Sequence, residues 1–223
     1  MTQLLISVTN IEEAQLAMAY GADIIDLKDP SQGALGALPL STIAAVMTLV
    51  NAHQPVSATI GDLPMQPAVI VQAVAALIAL KIDFIKIGFF ETDNYQLCLT
   101  ALHGLTQAGA KLIAVLFAEH SYSPELIPAI KAAGFIGVML DTANKNGLTL
   151  MDHYSAAQQL SFSQQVFAHG LSLGLAGSLQ LKHVAAAKII NPTYIGFRGG
   201  VCTANQRQLS LDADKIKAIR AAI

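Results

Sequence analysis

The sequence is poor in charge and in cysteine, and it contains no long uninterrupted apolar run. Charged residues make up only 13% of the 223 residues, while 53% are hydrophobic. That balance excludes a disordered chain, a coiled coil and a nucleic-acid binder that relies on a basic surface. Thirteen Lys and Arg against fifteen Asp and Glu leave a formal charge of −2. Any anion site therefore has to come from local placement. Two cysteines, Cys98 and Cys202, cannot make a disulfide framework and point to a reducing compartment. The opening MTQLLISVTNIEEAQ has no basic stretch ahead of its apolar residues, so no secretory signal is expected. The longest apolar run, residues 68–80, spans thirteen positions and already includes Gln72. A membrane-spanning helix needs roughly 20. No membrane association is expected, and the chain reads as soluble and cytoplasmic.

Metal and nucleotide signatures are missing too. The six histidines show no HxxxH or HxH spacing, and the cysteines lie 104 residues apart, so no metal is expected. No GxGxxG follows a strand, and GSLQLKH lacks the P-loop lysine spacing. Neither a metal nor an organic cofactor is expected. No Pro/Ser-rich linker or shift in composition divides the chain, so residues 1–223 read as one domain.

What is present is an alternation. Short β-type runs at 4–8, 23–28, 56–60, 84–88, 112–117, 137–141, 172–175 and 194–198 alternate with helix-length stretches. Those stretches cover 11–20, 39–53, 67–80, 94–108, 124–133, 151–169, 179–188 and 212–222, with apolar residues three and four apart. Asn10, with Glu13 three positions on, has the form of a capping box. Pro39, Pro67 and Pro124 suit first-turn positions, and Gly21, Gly109, Gly134 and Gly170 fall where helices should stop. Eight strand–helix units with short connections predict an α/β fold, a single (β/α)8 TIM barrel. The apolar helices carry few charges per turn, which favours a homo-oligomer.

In such a barrel, polar residues at the carboxyl ends of strands need an explanation. Period two along DIIDLKD puts Asp26 and Lys28 on the face opposite Ile25 and Leu27, and so into the barrel. A structural ion pair is the simpler reading of these two alone, because an unpaired buried charge is costly. Further charges weigh against it. Lys86 shares a face with Phe84 and Gly88 in the fourth strand. Asp141 ends the sixth, Lys145 lies four residues beyond, and Arg198 ends the eighth. Four cations and two carboxylates converge on one rim of a chain with few charges elsewhere.

Lysine inside a barrel mouth suggests amine chemistry. Only the neutral amine attacks a carbonyl, and a free lysine is neutral in about one part in 10³–10⁴ at pH 7. Desolvation and neighbouring cations activate such a lysine. Lys86 and Lys145 would act on Lys28 in that sense and Asp26 against it, and spacing alone leaves the balance open. The carboxylates could also move protons during dehydration. Glycine-rich loops supply candidate phosphate sites: SQGALGAL with Gly33 and Gly36, LAGSLQ with Gly177 and Ser178, and FRGGVC with Arg198, Gly199 and Gly200. Tight turns alone would also explain each glycine. His120, beside Glu119, reads as a substrate contact or a solvated loop residue, and Asp62 as a rim group or a helix cap.

These motifs resemble one family. DIIDLKDPSQGALGA, FIKIGF, VMLDTANKNGLTL and GFRGGVC are similar to segments of the (5-formylfuran-3-yl)methyl phosphate synthase family, also called 4-(hydroxymethyl)-2-furancarboxaldehyde phosphate synthase. The pairing of DxKxPxxGxLGA with DTxxKxG carries the resemblance, which runs over essentially the whole chain. It implies a Schiff-base lyase that condenses two glyceraldehyde 3-phosphate molecules into a furan aldehyde phosphate, losing one phosphate and two waters. Such members serve methanofuran-type cofactor synthesis. On the same basis Lys28 is the Schiff-base lysine and Lys86 the proton acceptor, while Asp26, Asp141 and Lys145 assist proton transfer and hold intermediates. The alternatives are a class I phosphosugar aldolase or isomerase using the same lysine, and a non-catalytic phosphometabolite-binding barrel.

Overall fold

The computed structural model describes residues 1–90 and 95–223. Its strands are β1 (Gln3–Val8), β2 (Ile24–Leu27), β3 (Val56–Thr59), β4 (Phe84–Gly88), β5 (Leu112–Phe117), β6 (Gly137–Asp141), β7 (Ser172–Leu175) and β8 (Tyr194–Phe197). They pair in chain order, and β8 returns in parallel to β1 to close the barrel. Around it lie α1 (Ile11–Ala19), α2 (Leu40–Val50), α3 (Pro67–Ala79), α4 (Tyr95–Gln107), α5 (Leu126–Ala132), α6 (Leu150–His153), α7 (Ala156–Ala168), α8 (Val184–Lys188) and α9 (Ala213–Ala222). The expected start of the fourth helix at Asn94 lies outside the described residues. Among those described, no helix is long and apolar enough to cross a membrane.

Strand periodicity divides the apolar residues between two cores. Leu4, Ile6, Ile25 and Leu27 point outward and pack with Ile43, Val46, Ile70 and Val74 of the helices. Leu5, Ile24, Ile113, Val115, Met139 and Tyr194 point inward and fill the lower barrel. Gly21, Gly109, Gly134 and Gly170 take positive φ just beyond α1, α4, α5 and α7, ending those helices as expected.

Several helical expectations differ from the structure; Pro39 and Pro124 precede α2 and α5 and do not occupy their first turns, as Pro67 does in α3. The stretch 151–169 is two helices, because Ser155 and Gln158 form a fresh capping box that starts α7. The stretch 179–188 opens as a 3-10 turn at Leu181–His183 and becomes α-helical only at Val184. At α1, Asn10 Oδ1 accepts from the Glu13 N–H at 2.8 Å. The Glu13 carboxylate, however, accepts from the Thr9 N–H and leaves the box half made.

Tyr194 closes the barrel floor against Gly174, its register partner on β7. A Cβ on Gly174 would fall 2.3 Å from two carbons of the Tyr194 ring, so only glycine lets the ring lie across the axis. Gly174→Ala is expected to lower the unfolding free energy by about 1–3 kcal/mol through overpacking. Urea denaturation checks this, and an unchanged midpoint would mean that the ring has room to move.

Candidate active site

A cavity of about 740 Å³ opens where the strands end, and Ser7, Asp26, Lys28, Asp141, Lys145 and Arg207 contribute to its wall. Its lower wall is built on strand register. Ser7, Asp26 and Ser57 are neighbours at one level of β1, β2 and β3. The two serine hydroxyls donate to the Asp26 carboxylate from either side, at 2.7 and 2.6 Å. Lys86 Nζ lies 2.5 Å from Asp26 Oδ1, and both side chains are buried. Burial works to raise the Asp26 pKa, but the charges of Lys86 and Lys28 outweigh it and hold the carboxyl below its ordinary range. Burial lowers the pKa of Lys86, against the pull of Asp26.

Lys86 does not border the upper cavity. It lines a second, mostly apolar space of about 200 Å³ below, together with Phe84, Ile113 and Tyr194. Asp26, its ion-pair partner, does line the upper cavity.

The second cluster surrounds Asp141, at the end of β6. Its Oδ1 accepts from the Thr142 N–H at 2.7 Å and from Lys145 Nζ at 3.1 Å. Lys145 gives its other two donors to the carbonyl and hydroxyl oxygens of Thr142, at 2.6 and 2.9 Å. The ammonium is thus saturated. Asp141 Oδ2 is buried without a hydrogen-bond partner, and Lys28 Nζ lies 3.8 Å from it. No hydrogen bond is made by Lys28 Nζ to any described residue. Burial works to raise the Asp141 pKa, yet Lys145 and Lys28 bring it down to about 2.

The structure brings Asp26, Lys28, Asp141 and Lys145 to one cavity wall and sets Lys86 below it against Asp26, whereas the loops depart from expectation. Arg198 is not free to hold a phosphate. Its Nε donates to the Arg207 carbonyl, Nη1 to the Ser7 carbonyl and Glu13, and Nη2 to Glu13 and the Leu209 carbonyl. All five donors are used, and the side chain ties the loop after β8 to α1. Gly36 does not border the cavity. A Cβ there would meet the Asp29 carbonyl at 2.3 Å, so its glycine is a packing requirement. Gly33 does border the cavity, at φ +94, where a Cβ would strike Asp62. Asp62 is a brace for this loop, accepting from the N–H groups of Ala34 and Leu35. His120 packs between Phe117 and Tyr122, away from the cavity wall.

Gly177, Ser178, Gly199 and Gly200 do line the cavity. The N–H groups of all four lack a backbone acceptor among the described residues. Gly199 and Gly200 begin a 3-10 turn, whose first donors have no partner within the turn. This cluster has the donors to cradle a phosphate, without the helix start expected beside Gly177 and Ser178.

Four residues escaped the sequence reading. Ser7 and Ser57 could have been found, since each is a polar residue at an inward strand position. Glu119 accepts from the Ala143 and Asn144 N–H groups at 2.9 and 2.8 Å and so holds the loop that carries Lys145. Burial works against its ionisation, but those donors bring its pKa below the ordinary value. Arg207 sits on the irregular loop after β8, with no local pattern to mark it.

A depressed carboxyl pKa contributes stability that is present above the unfolded value and lost as pH falls through the folded one. For Asp141 that window runs from the ordinary 3.8 down to about 2, and it is worth about 2 kcal/mol. Urea unfolding at pH 5 and at pH 2 is expected to show a smaller loss for Asp141→Asn than for the parent chain, by most of that amount. Equal losses would place Asp141 in a solvated setting.

The profile of the 4-HFC-P synthase family matches residues 4–220. A Methylorubrum extorquens protein provisionally named (5-formylfuran-3-yl)methyl phosphate synthase is 40% identical, over 98% of this chain and 92% of that one. The (5-formylfuran-3-yl)methyl phosphate synthase of Methanosarcina acetivorans is 35% identical over 92% of each chain. That of Methanocaldococcus jannaschii is 32% identical over 97% of each. Among solved structures, phosphoribosyl anthranilate isomerase from Thermus thermophilus superposes with a TM-score of 0.70 at 17% identity, covering 99% of this chain and 98% of its own. The 3-hexulose-6-phosphate synthase from Salmonella typhimurium gives 0.71 at 14%, with the same coverage. These two likenesses carry the barrel fold alone. The match across nearly the whole chain, with a buried lysine–carboxylate site at the strand ends, makes this protein a member of the 4-HFC-P synthase family of enzymes.

Proposed function

We propose that this enzyme makes (5-formylfuran-3-yl)methyl phosphate from two molecules of glyceraldehyde 3-phosphate through an imine on Lys28, serving methanofuran-type cofactor synthesis in the cytoplasm. One observation carries the reading. Lys145 and Arg198 spend every donor on the protein, and Lys86 faces Asp26 below the cavity. Lys28 Nζ borders the cavity without a hydrogen bond to any described residue, in a loose 3.8 Å ion pair with Asp141 Oδ2, which also lacks a hydrogen-bond partner among them.

The chemistry then follows. The Lys28 amine adds to the carbonyl of one triose phosphate, taken as its ketone isomer, and water leaves to give the imine. Asp141 Oδ2 carries the proton between the departing hydroxyl and the nitrogen. The Asp26–Lys86 pair takes a proton from C2 of the second triose phosphate, and the C–H electron pair expels the phosphate from its C3 to leave an enol. The C3 carbon of that enol attacks the imine carbon on Lys28 and forms the new C–C bond, the C=N electron pair returning to nitrogen. The hydroxyl of the ketone triose then closes on the new C2 carbonyl, and loss of a second water and of the Lys28 amine aromatises the ring and frees the lysine. Two triose phosphates thus become one furan phosphate, one inorganic phosphate and two waters. The retained phosphate is held by Gly177, Ser178, Gly199 and Gly200.

Incubation with glyceraldehyde 3-phosphate alone is expected to release inorganic phosphate and one furan chromophore in equal amounts. A reversible aldolase or isomerase would give neither. Borohydride added with triose phosphate is expected to fix the substrate on Lys28, as read by peptide mass mapping. Lys28→Ala should lose the adduct and at least about 10³-fold in turnover. An adduct on another lysine overturns the assignment of Lys28, and absence of any adduct favours a barrel that only binds phosphometabolites.

A further inference from the structure

We infer that Arg207 and the N–H of Gly33 form a second phosphate subsite, which takes the second triose phosphate. The inference rests on the proposed condensation, because a reaction that joins two triose phosphates must hold two anionic handles at once. The glycine cluster accounts for one of them. The cation expected beside it, Arg198, has no donor left, and neither has Lys145.

Arg207 is different. Its stem lies against Gly199, where a Cβ would come within 3.7 Å of the Arg207 Cβ. From there the guanidinium crosses the cavity mouth to the loop after β2. Nε donates to the Pro30 carbonyl, and Nη2 to the carbonyls of Pro30 and Gly33. Nη1 makes no hydrogen bond to any described residue, and Arg207 forms part of the cavity wall. Two of its three nitrogens therefore fix the plane of the group and leave the third to a ligand, which suits the planar fork to a phosphate. Gly33 also lines the cavity, and its N–H has no acceptor among the described residues. The Asp62 carboxylate beside it is already occupied by the Ala34 and Leu35 N–H groups. Arg207 lies close enough to weigh on the Lys145 ammonium, which puts its charge next to the reacting centre. The two subsites are then one arginine side chain apart, on opposite sides of the mouth.

Titration with inorganic phosphate by calorimetry tests the subsite apart from catalysis. Two equivalents are expected to bind the parent chain and one the Arg207→Ala variant. Equal stoichiometry in the two overturns the inference, whether or not the parent chain makes a furan. In turnover, Arg207→Ala should keep the borohydride adduct on Lys28, while its KM for glyceraldehyde 3-phosphate rises about tenfold or more. Inhibition by phosphate should weaken in parallel, and Arg207→Lys should recover part of both. A variant that loses the adduct and melts earlier, with phosphate stoichiometry unchanged, would make Arg207 only a strap between two loops. Failure of the parent chain to make the furan would sink the proposed condensation instead, with the phosphate count still reporting on the subsite.

Discussion

Two carboxylates hold three lysine ammonium groups inside a closed sheet, and the rest of the site depends on that arrangement. Asp26 neutralises Lys86, and Asp141 takes Lys145 while standing 3.8 Å from Lys28. Breaking a buried pair by removing one partner typically costs about 3–5 kcal/mol. Such charges persist only because every other polar contact around them is made. The hydroxyls of Ser7 and Ser57 complete Asp26, and the Thr142 oxygens complete Lys145. What is left over is one amine and one carboxylate oxygen, both facing the same cavity. The electrostatic framework thus leaves Lys28 as the amine open to the cavity by satisfying its neighbours.

The barrel adds a vertical order to that framework. Its floor is apolar and closed by Tyr194, its middle holds the Asp26–Lys86 pair, and its mouth is loops. Water that enters from the mouth meets Lys28 and Asp141 before it meets Lys86. Asp26 stands between Lys86 and the cavity wall formed by Lys28 and Asp141. In the proposed reaction the imine would form at the top and the proton would be stored below, which matches the order of Lys28 and Lys86 along the barrel axis. The loops are held by Glu119, behind the cavity wall, and by Asp62 and Arg198, which form part of it. Each accepts or donates several hydrogen bonds to main-chain groups of the segments that face the substrate.

Much of this was legible before any coordinates. The strands lie within a residue or two of their expected bounds, Asp26, Lys28 and Lys86 face inward as period two requires, and Asp141 stands at the end of β6. Helix starts were harder to read. A single apolar pattern at 151–169 hides a break at Ser155, because a capping box leaves the 3.6-residue period on either side nearly intact. Ser7 and Ser57 carried a readable signal, a polar side chain at an inward strand position. Glu119 and Arg207 carried none, since an irregular loop has no period from which a direction can be inferred.

Sequence alone determined the barrel, the inward faces of β2 and β4 and the family. Those follow from local periodicity and from motifs whose residues lie close together in the chain. Tertiary structure decided which cations are spent and which are free. Arg198 meets Glu13 from 185 positions away, and Arg207 meets Pro30 from 177. A donor's availability depends on acceptors that the chain brings near only by folding, and no spacing within a motif records them.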